Sequence, residues 1–161
     1  MENIAKKAVD ALREKKLTVA AAESCTGGLV SAKITSVAGS SEVISFSMTT
    51  YSNEAKIQKL GVKRETIEAF GAVSKQTAAD MAENIRRIAD ADIGISVTGV
   101  AGPSMSEGKA VGTVFIGLAT EKETRVEQLK EAPLTRDEVR ENAAKRALEM
   151  LFETAEEYRK E

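Results

Sequence analysis

The sequence predicts an α/β fold, a three-layer α/β/α sandwich built around a mixed sheet. Short apolar runs are followed by polar loops and then by apolar residues at helical spacing, which is typical of parallel strands joined by helices. Later in the chain, two apolar runs are separated only by Glu121-Lys122-Glu123, which indicates an antiparallel hairpin. The chain has 161 residues, the size of one domain. We therefore expect a single domain over residues 1–161.

The first half of the chain predicts helix, strand, helix and strand in turn. Glu2 to Lys16 has the apolar spacing of an amphipathic helix. Thr18 to Ala22 is short and apolar, as in a buried strand, and Leu29 to Val37 resumes a helical period. Val43 to Thr50 alternates apolar and polar residues, the pattern of a half-buried strand at or near an edge, with Ile44, Phe46 and Met48 on the apolar side.

Three scaffold helices are predicted next. Ser52-Asn53 can cap the first, which passes through Leu60 and ends at Gly61. Val62 to Phe70 forms the second helix. Ser74 caps the third, which continues to about residue 88.

Three strands and a long helix complete the prediction. Asp92 to Val97 is a buried strand, and Val111 to Ala119 pairs with Thr124 to Leu129 in the hairpin. Thr135 and Glu138 have the spacing of a capping box, which predicts the start of a final helix.

Composition disfavours several classes of function. The net charge is −2 and the charges are interspersed, so no basic stripe for DNA or RNA is present. No apolar run reaches the roughly 18 to 20 residues that span a bilayer. The stretch after Met1 is polar and unlike a secretory signal. We expect a cytoplasmic protein with neither nucleic acid nor membrane as partner.

The sequence contains no histidine and a single cysteine, Cys25. Imidazole is the base in Ser-His-Asp and Cys-His catalysis and a common zinc ligand. Any catalytic base must therefore be Lys, Asp, Glu, Tyr or water. No disulfide can form within the chain. We predict no metal site, because the cysteine is alone and the carboxylates are scattered, and we expect no cofactor.

Three hydroxyl- or glycine-rich loops follow three of the predicted strands. In open α/β sheets, ligands bind beyond the carboxyl ends of the strands. We therefore expect the loops to meet at one ligand site. The loops are Glu23-Ser24-Cys25-Thr26-Gly27-Gly28, Thr50-Tyr51-Ser52-Asn53-Glu54-Ala55-Lys56 and Val97-Thr98-Gly99-Val100-Ala101-Gly102-Pro103.

The first loop allows two interpretations. Gly27 and Gly28 would let the backbone approach a ligand, and the start of the next helix, with the hydroxyls of Ser24 and Thr26, would favour an anion. Alternatively, Thr26 is a helix N-cap and the glycines form a tight turn. Neither a Walker motif nor a dinucleotide fingerprint is present.

Lys56 is predicted in the first turns of a helix that follows a strand. The positive end of the helix dipole disfavours a cation, which would lower the pKa of this amine. The alternative is a surface lysine whose amine extends into solvent.

Five motifs resemble, in order, the signatures of the CinA C-terminal domain family. That family is associated with competence and DNA-damage inducible proteins, and its enzymatic members convert nicotinamide mononucleotide to nicotinate mononucleotide and ammonia. The resemblance implies a five-stranded mixed sheet and commonly a homodimer. The matching motifs are Ala22-Glu23-Ser24-Cys25-Thr26-Gly27-Gly28, Gly39-Ser40-Ser41, the loop from Thr50 to Lys56, Gly71-Ala72-Val73-Ser74 and Thr98-Gly99-Val100-Ala101-Gly102-Pro103.

The chain departs from the family pattern at two places. The loop from Ser104 to Lys109 is shorter and poorer in glycine, and Ala110 stands where a proline is common. Either departure could alter how the substrate fits. The N-terminal domain of two-domain CinA proteins has no counterpart here, so we expect its activity to be absent.

The family's deamidases resemble Ser/Lys hydrolases, and the lack of histidine requires the same kind of base. A lysine can be a base only if desolvation or nearby positive charge keeps it neutral. Lys56 is the candidate base, and Tyr51 would relay a proton or orient the amine. Backbone N–H groups near Gly27, Gly28 or Gly99 would stabilise the oxyanion.

Two serines within the motifs are candidate nucleophiles. Ser41 precedes a strand of about nine residues that ends near Tyr51, which would separate it from Lys56 by well over ~20 Å. Ser24 ends a neighbouring strand at the same rim as Lys56. We therefore expect Ser24 to attack. Ser41 is the alternative if the chain folds back or a second subunit completes the site.

No arginine lies beside these motifs, so we expect backbone amides and hydroxyl groups to bind the phosphate of the mononucleotide. A rival hypothesis is a non-enzymatic module that binds a protein or a nucleotide without turnover. The predicted substrate-binding residues are Glu23, Thr26, Gly27, Gly28, Thr98, Gly99, Ala101 and Gly102.

Overall fold

A five-stranded mixed sheet forms the centre of the protein. The computed structural model describes residues 3–130 and 134–159. The sheet order is β2-β1-β3-β4-β5. β2, β1 and β3 are parallel, whereas β4 and β5 continue as an antiparallel meander, as predicted. The strands are β1 (Val19–Glu23), β2 (Ile44–Thr49), β3 (Ile93–Gly99), β4 (Thr113–Ala119) and β5 (Thr124–Lys130).

Helices cover both faces of this sheet, which confirms the three-layer α/β/α prediction. One core is shared by α1, α2 and α6 and contains Val19 and Ala21 of β1. The other core lies under α4 and α5 and contains Ala20 and Ala22. Because successive strand residues point to opposite faces, β1 is buried at every position. The helices are α1 (Ile4–Glu14), α2 (Leu29–Thr35), α3 (Asn53–Gln58), α4 (Arg64–Phe70), α5 (Lys75–Ala89) and α6 (Arg136–Glu157).

Side-chain caps fix the starts of three helices where the sequence predicted them. The Ser52 and Ser74 hydroxyls accept from backbone N–H groups in the first turns of α3 and α5. Thr135 and Glu138 form the reciprocal capping box of α6. These caps place the starts of α3, α5 and α6 at fixed points near the carboxyl ends of the parallel strands.

Several predicted boundaries were wrong by a few residues. Helix α1 ends at Glu14, and the predicted start at Glu2 lies outside the described residues. Helix α3 ends at Gln58 rather than at Leu60. Strand β4 begins at Thr113 instead of Val111, because Thr113 N–H closes a turn onto the Ala110 carbonyl.

The alternation along β2 does not correspond to alternating burial. β2 is an edge strand, as predicted, but Phe46 is 39% exposed while Ile44 and Met48 are half-buried. An edge strand has helices over only part of its surface, so an apolar residue on the predicted inner side can still meet solvent.

Among the described helices, none combines the length and the apolar character that crossing a bilayer requires.

Helix α5 lies directly against the sheet because two strand positions have no side chain. A Cβ atom at Gly94 would lie 2.1 Å from the carbonyl oxygen of Ala82, and one at Gly117 would lie 2.5 Å from that of Ala78. Between them, the Ser96 hydroxyl donates to the Ala78 carbonyl at 2.7 Å. This contact fixes how closely α5, and the turn that precedes it, approach the end of β3.

Replacing Gly94 with alanine should destabilise the protein by about 3 kcal/mol or more, because the helix backbone must move away from the sheet. Gly108→Ala is the control. Unlike Gly94, Gly108 has a positive φ, and a Cβ atom there would meet no atom within 4 Å. The Gly108→Ala variant should therefore lose only about 1–2 kcal/mol, from backbone strain. Urea unfolding of both variants measures the difference, and equal losses would contradict the close approach.

Candidate active site

Residues from all three polar loops line one cleft beyond the carboxyl ends of the parallel strands. Its volume is about 240 Å³. Ser24 and Cys25 come from the first loop, and Tyr51 and Lys56 from the second. The third loop contributes the segment from Thr98 to Gly102. This is the position at which open α/β sheets bind their ligands.

The Lys56 side chain is buried and ends beside Ser24. Its amine lies 3.0 Å from the Ser24 hydroxyl oxygen, 2.9 Å from the Thr50 carbonyl oxygen and 3.3 Å from the Tyr51 carbonyl oxygen. Lys56 is only 1% exposed. The alternative of a solvated surface lysine is therefore wrong.

Burial is the main reason that the pKa of Lys56 falls to about 8. Cys25 and Glu107 act in the opposite direction. The helix-dipole explanation was wrong in detail, because α3 has only six residues and Lys56 lies in its last turn. Helical side chains extend back toward the N-terminus, and this direction brings the amine under the carbonyl groups that precede α3.

The three contacts of Lys56 match the hydrogen-bonding capacity of a neutral amine. Such an amine has two N–H donors and one lone pair. When Thr50 and Tyr51 carbonyls accept the two N–H groups, the remaining contact is the Ser24 hydroxyl, which donates to the lone pair. In the protonated form, the ammonium donates to Ser24 instead. The neutral state is therefore arranged to accept the serine proton.

Ser24 continues the hydrogen bonding of the sheet and is held in place by it. Its N–H donates to the Val97 carbonyl of β3 at 3.0 Å, and the residue is 7% exposed. The neighbouring Cys25 thiol is buried, and burial raises its pKa to about 11. The thiol is therefore protonated near neutral pH and is a poor competitor for the role of nucleophile.

Glu23 and Thr26 do not line the cleft, contrary to the sequence-based expectation. The buried Glu23 carboxylate accepts from the Thr26 hydroxyl at 2.7 Å and from the N–H groups of Val30 and Ser31 at 2.9 and 3.0 Å. The N-cap of α2 is Gly28, without a side-chain cap bond. A carboxylate of the chain itself thus satisfies the start of α2, so Thr26 is neither its N-cap nor free for a ligand.

Gly27 and Gly28 form the turn between β1 and α2 and do not line the cleft. Both have positive φ values, 59° and 103°, which glycine adopts readily. The Gly27 N–H donates to the Ser24 carbonyl at 2.9 Å, so it is not free to stabilise an oxyanion. Gly99, Ala101 and Gly102 do line the cleft, and their role in substrate binding stays a prediction.

Thr98 lines the cleft, but its hydroxyl already has a partner. It donates to the Ala72 carbonyl at 2.8 Å and is buried. This bond joins the end of β3 to the turn before α5. Thr98 therefore helps to shape the cleft wall.

The structure separates Ser41 from Lys56 within one chain. Ser41 lies in a short 3₁₀ turn, Ser40–Glu42, before the amino end of β2, whereas Ser24 follows the carboxyl end of β1.

Tyr51 is 60% exposed, and its hydroxyl accepts from Arg136 at 2.9 Å. The main-chain carbonyl of Tyr51, rather than its phenol, contacts Lys56.

Two arginines of α6 were missed by the sequence-based prediction. Arg136 lines the cleft and donates to the Gly102 carbonyl and to the Tyr51 hydroxyl. Arg140 donates to the Cys25 and Thr26 carbonyls at 3.0 and 3.1 Å. The available signal was that the two arginines are four residues apart at the start of the predicted final helix. This spacing places both on one face of α6.

Glu107 is another residue of the cleft that the sequence-based prediction missed. Its carboxylate accepts from Ala72 N–H at 2.9 Å and from Val73 N–H at 3.1 Å, and it lies 3.4 Å from the Lys109 ammonium. Burial opposes its ionisation, but the two amides and Lys109 outweigh burial and lower the pKa of Glu107.

Among the described residues, no group of three or more His, Cys, Asp or Glu side chains is placed to bind a metal.

The fold and site together define an α/β domain with a buried serine-lysine pair at the rim of its sheet. The model of the CinA C-terminal domain family matches residues 1–155. The chain therefore belongs to the CinA C-terminal domain family.

Curated relatives support this assignment. A protein of Thermoanaerobacter sp. (strain X514), named as a competence-damage inducible protein, is 51% identical over 122 residues, which is 75% of this chain and 30% of that protein. A CinA-like protein of Kosmotoga olearia is 46% identical over 151 residues, 93% of this chain and 36% of that protein. The chain thus spans about a third of the length of these relatives.

Solved structures show the same fold over nearly the whole chain. The competence/damage inducible protein CihA from Agrobacterium tumefaciens is 37% identical, with a TM-score of 0.89 over 95% of this chain and 96% of that one. A competence or damage-inducible protein from Enterobacter asburiae is 36% identical, with a TM-score of 0.90 over 94% and 96% of the two chains.

Proposed function

We propose that this domain is an amidohydrolase that converts nicotinamide mononucleotide to nicotinate mononucleotide and ammonia. The observation that carries the proposal is the buried contact of 3.0 Å between the Lys56 amine and the Ser24 hydroxyl. A serine paired with a desolvated lysine is an activated nucleophile for acyl transfer. The substrate is proposed from the family resemblance, and the reaction type from this pair.

In the first half of the reaction, the neutral Lys56 amine takes the proton of Ser24 as the serine oxygen attacks the carboxamide carbon. The resulting tetrahedral intermediate collapses when the protonated Lys56 donates that proton to the amide nitrogen. Ammonia leaves, and the nicotinoyl group is bound to Ser24 as an ester. Lys56 has returned to its neutral form.

In the second half, a water molecule attacks the ester while Lys56 accepts its proton. Collapse of the second intermediate returns a proton from Lys56 to the Ser24 oxygen and releases the carboxylic acid. The Thr50 and Tyr51 carbonyls hold the amine in the same orientation in both halves. One lysine can therefore act as base and then acid in each half.

Backbone and arginine groups of the cleft have distinct roles in the proposed reaction. The Cys25 N–H directly follows the nucleophile and is proposed to stabilise the oxyanion, in place of Gly27, whose N–H is already bonded. Arg136 is proposed to bind the phosphate, because a guanidinium matches phosphate oxygens in charge and geometry. Tyr51 shares a hydrogen bond with Arg136 and would orient it.

A homodimer, which the family resemblance implies, remains a proposal. The exposed edge strand β2, with Phe46 39% exposed, is one surface through which copies could pair. Ser41, in the turn that precedes β2, would reach an active site only in such an assembly. Sedimentation of the purified domain would establish its oligomeric state.

Ser24→Ala should lower the rate of ammonia release from nicotinamide mononucleotide by about a thousandfold or more, and Lys56→Ala should have a similar effect. Because the two residues act as one unit, the double variant should be no slower than either single variant. Ser41→Ala is the matched control and should keep wild-type activity. Full activity in Ser24→Ala would refute the proposal, and tight binding without turnover in the wild type would favour a non-enzymatic binding module.

The value of kcat/KM should rise with pH through about 8 and then level off, because Lys56 must lose its proton to act as a base and the pKa of this amine is about 8. Below that pH the amine is increasingly charged, and activity should fall about tenfold per pH unit. Initial rates of ammonia release between pH 6 and about pH 9.5 measure this. A rate that is constant across the range would contradict a lysine base.

A further inference from the structure

We propose that Glu107 selects substrates that carry a positive charge on the ring. This inference rests on the proposed function, because the pyridinium ring of nicotinamide mononucleotide has a fixed positive charge. Among the described residues that line the cleft, Glu107 is the only acidic one. A carboxylate in a partly desolvated cleft attracts a cation more strongly than one on an open surface.

The Glu107 carboxylate is held in a fixed position and in its charged form. The Ala72 and Val73 N–H groups each donate to one of its oxygens, and these bonds favour the ionised state. The side chain is 27% exposed, so a bound ligand would displace part of its remaining water. The oxygen that accepts from Ala72 retains capacity to interact with a further group, whereas the other oxygen accepts from both Val73 and Lys109.

Lys109 offsets this negative charge only in part. Its ammonium lies 3.4 Å from Glu107, but it also donates to the carbonyls of Phe70 and Val73. Lys109 does not line the cleft, whereas Glu107 does. A ligand in the cleft therefore meets the carboxylate directly, with the ammonium behind it.

Besides Lys56, the described residues that line the cleft include two charged ones, Arg136 and Glu107, which come from opposite layers of the fold. Arg136 begins α6, whereas Glu107 is bonded to the turn just before α5. The mononucleotide has a cationic ring at one end and an anionic phosphate at the other. Arg136 and Glu107 complement these two charges, and Ser24 directly follows the interior strand β1, which lies between the two helical layers. This arrangement orients the substrate as well as attracting it.

Glu107 also has a packing role, which an experiment must separate from its charge. It joins the loop of residues 104–109 to the turn of residues 71–73, and a Cβ atom at Gly71 would lie 2.5 Å from its carboxylate. Loss of packing should weaken every ligand equally. Loss of charge should weaken only the cationic ligand.

The test compares two ligands that share the phosphate and the carboxamide and differ in ring charge, namely nicotinamide mononucleotide and its reduced dihydro form. Dissociation constants are measured in the Ser24→Ala background, so that hydrolysis does not interfere. Glu107→Gln should reduce the preference for the charged ligand by about tenfold. Glu65→Gln, at an exposed position on α4, is the control and should leave the preference unchanged.

Lys109→Met provides the opposite perturbation. It loosens the same loop but removes the offsetting cation, so the preference for the charged ligand should rise severalfold. An unchanged preference in Glu107→Gln overturns the proposal. If circular dichroism shows that Glu107→Gln has not folded, Lys109→Met decides, since an unchanged or reduced preference there also overturns it. Ammonia release is measured separately with Ser24 intact, so failure of the proposed function is distinguishable from failure of this inference.

Discussion

The structure depends on one interaction, the burial of a lysine amine between two main-chain carbonyls and a serine hydroxyl. Taking an ammonium out of water is costly unless it is fully paired, and the usual outcome is a lower pKa. Lys56 follows this rule, because burial is the main cause of its shifted pKa. The acceptors that hold its N–H groups belong to Thr50 and Tyr51. The end of β2 and the start of α3 therefore fix the amine without any charged partner.

The sheet supplies the other half of the pair. β1 lies between β2 and β3 and is buried on both faces, so the chain after it has little freedom. Ser24 extends the ladder to β3, while Glu23 turns away from the cleft and caps α2. Arg140 then holds the next two carbonyls from α6. One short motif thus serves both the proposed chemistry and the attachment of a helix, with different residues for each role.

Much of this arrangement could be predicted from local pattern. The apolar runs predicted a mixed sheet that ends in an antiparallel hairpin. Ser52, Ser74 and Thr135 marked the starts of three helices. Strand length alone favoured Ser24 over Ser41, because the residues before and after a parallel strand lie at opposite ends of the sheet.

What could not be predicted depended on contacts between residues distant in sequence. Glu23 and Thr26 have side chains that suit a ligand site and a helix start equally well, and only the packed structure separates these roles. Arg136 and Glu107 join the cleft from segments more than 50 residues beyond the second loop. The exposure of Phe46 follows from the edge position of β2, which alternation in the sequence does not determine.

The central claim is that burial lowers the pKa of Lys56 to about 8, so that part of this amine is neutral near physiological pH. An NMR titration of the lysine side-chain amines tests this claim most directly. Lys56→Met identifies the signal by its loss. The account predicts one lysine that titrates with a pKa of about 8, while ordinary solvated lysines titrate at about 10.4. A Lys56 amine that titrates with those solvated lysines would contradict it, and a base in the proposed reaction would then have to be sought elsewhere in the cleft.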